Sequence, residues 1–138
     1  MNMPSQDNNQ QSQTEKGILV IHEDPFHREM IALSLTRNGY VGIFVVESAE
    51  KGLEVLQTVK PALVVLSDGI LETDGIGAGQ RIREALGNAA KLVVLGDGHN
   101  RDSKEKAKQI NADDFAERSP DSFSHYAHLL RSIKGLIR

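Results

Sequence analysis

Three continuous apolar runs constrain this chain more than any other feature: ILVI at Ile18–Ile21, ALVVL at Ala62–Leu66 and LVVL at Leu92–Leu95. None of them alternates polar with apolar residues. That is the pattern of strands buried on both faces of a parallel sheet, and such a sheet must be covered by helices on both sides. Two weaker segments, Val41–Val46 and Asp114–Ala116, bring the expected strands to five.

Segments of helical period lie between these runs. Phe26, Met30 and Leu33 recur after Pro25, and Ala49, Leu53 and Leu56 recur after Ser48, a residue suited to an N-cap. Both stripes are expected to face inward. Ile76, Gly79, Ile82 and Leu86 mark a third helix. Asp102 to Ile110 is mostly polar, with Ala107 and Ile110 to bury, so a loosely held helix is expected there, ended by Asn111 as a left-handed cap. The last helix is expected from about Asp121, with Phe123, Leu130, Ile133 and Ile137 in the core. The fold class is α/β: a single, doubly wound (βα)5 unit with a five-stranded parallel sheet.

A chain of 138 residues, 39% of them apolar, has room for one such domain and not two. The absence of cysteine excludes disulfides, thiolate nucleophiles and cysteine-ligated metals. No apolar run approaches the ~20 residues of a membrane helix, and the N-terminus has no apolar signal stretch, so a cytoplasmic protein with no membrane partner is expected. A net charge of −3 argues against general nucleic-acid binding. Met1 to Lys16 is rich in Gln, Asn and Ser and is expected to be a disordered tail, leaving 17–138 as the folded domain.

In an open parallel sheet, chemistry collects where the strands end. The residues there are His22, Glu23, Asp24, Ser67, Asp68, Gly96, Asp97, Glu117 and Arg118. The stretches GILVIHEDPFHREMI, PALVVLSDGILETDG and NADDFAERSP, in that order and at that spacing, resemble the receiver domains of two-component response regulators. The resemblance implies a flavodoxin-like fold. It also implies transfer of a phosphoryl group from a histidine kinase to an aspartate ending the third strand, with Mg²⁺ held by that aspartate and an acid pair after the first strand. A Thr or Ser after the fourth strand and a Lys after the fifth would contact the phosphoryl oxygens.

This chain departs from that pattern at nearly every such position. Counting from Pro61 or back from Asp74 and Gly75 puts Ser67 at the phosphoacceptor position, and a hydroxyl cannot form an acyl phosphate. His22 and Glu23 stand at the acid pair, and imidazole is a poor Mg²⁺ ligand, so at most weak Mg²⁺ binding and no other cofactor are expected. Gly96 replaces the hydroxyl donor, Asp97 adds negative charge beside it, and Arg118 replaces the lysine, with Pro120 one residue late. Asp68 is the alternative phosphoacceptor, although continued strand alternation would aim its side chain away from the pocket unless the strand end bulges.

Phe115 occupies the position of the family's switch aromatic, and with Asp97 it is assigned to the switch or partner face. The resulting expectation is a non-enzymatic pseudo-receiver that binds a signalling protein, a histidine kinase or a downstream effector. The competing readings are a phosphoaccepting receiver using Asp68 with Mg²⁺ and a flavodoxin-like nucleotide binder. Arg118 is expected either to pair with Glu23, Asp97 or Asp68 as a built-in cation or to point into water. His125 and His128 read as a solvated helix face, and Gly75 to Gly79 as a loop and helix start.

Overall fold

The computed structural model describes residues 17–98, 101–119 and 125–137. Along the chain these form β1 (Ile18–Ile21), α1 (Pro25–Arg37), β2 (Ile43–Val46), α2 (Ala49–Leu56), β3 (Leu63–Ser67), α3 (Asp68–Thr73), α4 (Ile76–Leu86), β4 (Lys91–Gly96), α5 (Ser103–Gln109), β5 (Asp114–Glu117) and α6 (Ala127–Leu136). All strand pairs are parallel, in the order β2-β1-β3-β4-β5. The order reverses at β1, so the crevice beyond the ends of β1 and β3 is where such a sheet binds or reacts.

The apolar runs become strands because both of their faces are covered. Leu19, Ile21, Val64, Leu66, Leu92 and Val94 pack on one side with Ala78, Ile82, Ala107 and Ile110. Ile18, Val20, Leu63, Val65, Val93 and Leu95 pack on the other with Ile31 and Leu35 of α1 and Leu129 and Ile133 of α6. Ser48 caps α2 by accepting from the Lys51 N–H, and Asn111 has a φ of +57°, as expected. Among the described residues, no helix is long and apolar enough to cross a membrane.

Three expectations are corrected. The stripe Phe26, Met30 and Leu33 faces solvent: Phe26 is 60% exposed, whereas Ile31 and Leu35 are fully buried. Asp24 caps α1 through the Phe26 N–H and Pro25 follows it, which fixes where the helix begins, and Ile31 and Leu35, four apart, form the stripe that meets the sheet. Burying those two side chains contributes about 1.5–3 kcal/mol each.

Second, the segment after β3, where the sequence reading placed no helix, is helical, giving six helices among the described residues. Ser67 ends the strand in an extended conformation and its Oγ accepts from the Gly69 N–H at 3.1 Å, so α3 begins with the next residue. Six residues are too few to show a helical period. Third, α6 begins at Ala127, and Tyr126 and Leu129 join the core ahead of Leu130 and Ile137. Asp121, Phe123 and the segment 1–16 lie outside the described residues.

Candidate site at the strand ends

Ser67 is buried, and its hydroxyl oxygen is engaged as the cap of α3. Asp68 is 1% exposed, and its Oδ2 accepts from the Ser103 hydroxyl at 2.7 Å and from the Asp97 N–H at 3.3 Å. A Cβ on Gly96 would stand 3.7 Å from the same oxygen. Asp68 therefore lies beside the end of β4 and beneath α5. The alternation argument fails at Asp68 because the backbone turns helical directly after Ser67, and period two holds only while the strand continues.

At the end of β1, His22 is buried and its Nδ1 accepts from the Asp24 N–H at 3.0 Å, which places the ring proton on Nε2. Burial holds its pKa below the ordinary 6.5, so the ring is neutral at pH 7. The Glu23 Oε1 at 3.5 Å from Nδ1 is accordingly no ion pair at that pH. The Glu23 carboxylate instead lies over Gly69, in space that a side chain there would need. Arg28 Nη1 donates to the His22 carbonyl at 2.9 Å and ties α1 to the end of β1.

For Arg118 the sequence leaves two placements open, an ion pair at the strand ends or a side chain in water. Its backbone N–H donates to the Gly96 carbonyl at 2.6 Å, extending the β4–β5 ladder, but its guanidinium makes no ion pair with Glu23 among the described residues. It is half-buried and lies near His27, whose pKa is lowered first by burial and then by that guanidinium. His27 Nδ1 is 2.6 Å from the Tyr126 hydroxyl, a link between α1 and α6. Burial pushes that phenol up to about 12, so it stays protonated and can donate. The sequence reading missed Tyr126, His27 and Ser103. For Ser103 the available signal was a small hydroxyl residue one helical turn before Ala107.

These donors do not fit Mg²⁺. The ion takes several hard oxygens; here one position is a neutral imidazole with Nδ1 engaged, and the Oδ2 of Asp68 is taken by Ser103 and the Asp97 N–H. Among the described residues, no three His, Asp or Glu side chains are grouped so as to hold a metal.

Phe115 points inward, packed against the core and over Gly96. On the outer side of β5 a groove of about 570 Å³ runs between α5 and α6, lined by Lys104, Phe115, Glu117, His128, Arg131 and Leu136. His128 is exposed, as expected, whereas His125 packs edge-on against Tyr126.

The topology defines a doubly wound α/β protein of the flavodoxin-like type, and the polar residues beyond β1, β3 and β4 form its candidate site. The model of the response regulator receiver domain matches residues 18–121, and the chain belongs to that family, whose members serve two-component signalling. A response regulator signal receiver domain from Bermanella marisrubri is similar at 23% identity and a TM-score of 0.73, over 90% of this chain and 99% of that one. A receiver domain of a DNA-binding response regulator from Colwellia psychrerythraea 34H aligns at 22% identity and 0.70, over 88% and 98%. The Vibrio cholerae chemotaxis protein CheY4 aligns at 14% identity and 0.72, over 88% and 98%. None of the curated proteins compared with the chain matches it.

Proposed function

We propose that this receiver domain is a pseudo-receiver: it signals by binding another protein, and its strand-end pocket does not take up a phosphoryl group. The observation that carries this reading is the state of Asp68, the carboxylate at the end of β3, which is 1% exposed and hydrogen-bonded to Ser103. A phosphodonor must reach a carboxylate oxygen to be attacked by it. Ser67, which takes the phosphoacceptor position by spacing, offers a hydroxyl, and that hydroxyl already caps α3. Gly96 supplies no side-chain donor, and Asp97 adds a carboxylate to the same end of the sheet.

The inward Phe115 leaves the groove over β5 open without any added group, so this face takes the partner: a histidine kinase or a downstream effector in the cytoplasm. The chain is a signalling module and not an enzyme.

Intact-mass measurement after treatment with acetyl phosphate and Mg²⁺ tests this. The expected result is an unmodified chain, both for the wild type and for Ser67→Asp. A phosphoryl adduct that disappears in Asp68→Asn overturns the reading in favour of a working receiver that uses Asp68.

A further inference from the structure

Of the helices on the sheet, α5 has the least apolar reason to stay there. Its sequence, SKEKAKQ, buries only Ser103 and Ala107, with Ile110 just past its end. Ser103 is 1% exposed, and its hydroxyl donates to Asp68 Oδ2 at 2.7 Å. The N–H of Asp97, at the start of the segment joining β4 to α5, donates to the same oxygen at 3.3 Å. A carboxylate withdrawn from water is costly without donors, so its donors are held tightly to it. The residue after Ser103 is Lys104, which lines the groove over β5.

We propose that Asp68 is a positioning residue: a fixed acceptor belonging to the chain itself, which latches α5 through Ser103 and so sets the wall of the groove that carries Lys104. The carboxylate is supplied by the sequence, so α5 is held without any modification of the protein. The latch deepens the docking reading above and rests on it only for what the groove binds.

The experiment uses the full chain and amide hydrogen exchange. Ser103→Ala removes one hydroxyl and should raise exchange across 103–110 by about tenfold or more, with β1 and β3 unchanged. Ser103→Thr keeps the hydroxyl and should restore protection, which loss of packing alone would not explain. Asp68→Asn, which keeps one acceptor oxygen and replaces the other with an amide nitrogen, should fall between. The chain has no cysteine, so Lys104→Cys with Arg131→Cys gives a clean spin-label pair across the groove. Its distance distribution should broaden when Ser103→Ala is added.

Unchanged α5 exchange and an unchanged distance distribution in Ser103→Ala overturn the latch; this variant decides even if substitutions at Asp68 fail to fold. A phosphoryl adduct in the mass experiment would sink the docking reading while leaving these two readouts to stand or fall by themselves.

Discussion

The ring of Phe115 occupies the space a side chain at Gly96 would need: a Cβ there would stand 2.6 Å from the ring Cζ and 2.9 Å from Cε1. No real Cβ tolerates that approach, so Gly96→Ala must push the ring out. It should destabilise the domain by about 1–3 kcal/mol in urea or thermal melts. In a Phe115→Ala background the same substitution should become neutral or stabilising, because glycine is itself unfavourable inside a strand. Additive effects in that double-mutant cycle would show that the two residues are not in contact.

Two helix glycines should respond differently to alanine. At Gly52 of α2 a Cβ would meet the Ile21 Cδ1 at 2.5 Å inside the core, so Gly52→Ala should cost about 1–3 kcal/mol. At Gly69 of α3 the obstacle is the end of the Glu23 side chain, which is 43% exposed and free to swing away. Alanine also favours helix over glycine by about 1 kcal/mol. Gly69→Ala should therefore lie within about 0.5 kcal/mol of wild type in chemical denaturation.

At the opposite end of the sheet, Arg83 joins α4 to three backbone carbonyls. Its Nη1 donates to the Asn111 carbonyl at 3.2 Å and to Asp113 Oδ2 at 3.0 Å, and its Nη2 to the carbonyls of Gly87 at 2.7 Å and Ala90 at 2.9 Å. Asp113 Oδ2 also accepts from the Leu92 N–H at 2.8 Å. Arg83→Ala should lower stability by about 2–3 kcal/mol. Arg83→Lys should recover less than half, since an ammonium cannot reproduce the planar fork. Full recovery by lysine in chemical denaturation would reduce the network to a simple charge effect.

Acid should loosen the domain through two histidines. His22 and His27 both have folded pKa values below the ordinary 6.5, chiefly because of burial. The unfolded chain therefore binds more protons than the folded one between each lowered value and 6.5. Their contribution is complete above pH 6.5 and is lost as pH falls through that window. His22→Asn keeps an acceptor facing the Asp24 N–H without a titrating ring, so its melting temperature should fall less steeply below pH 6.5. Parallel profiles for variant and wild type would place the acid sensitivity elsewhere.

The strands were legible because the information is local. An unbroken apolar run such as ALVVL can be satisfied only by burial on both faces, and three such runs with two weaker segments at that spacing leave one architecture. Ser48 and Asn111 were legible for the same reason: a cap and a left-handed residue are decided by a few neighbours. The strand-end residues could likewise be located by counting, from His22 and Glu23 through Ser67 and Gly96 to Arg118.

The rotation of α1 was not legible. PFHREMIALSLTR carries apolar residues on opposite sides, Phe26, Met30 and Leu33 against Ile31 and Leu35, so its period allows either face to turn inward.

By itself, then, the sequence determined the strand count, the layering and the identity of the residues at the strand ends, all of which follow from periodicity and short-range chemistry. Only the tertiary structure decided that Asp68 reaches Ser103, 35 positions away, that Phe115 fills the space over Gly96, and that His27 meets the Tyr126 hydroxyl. Those pairings depend on where strands and helices converge in space. A side chain at a strand end has several polar partners within reach, and no pattern along the chain records which of them the packed backbone brings within hydrogen-bonding distance.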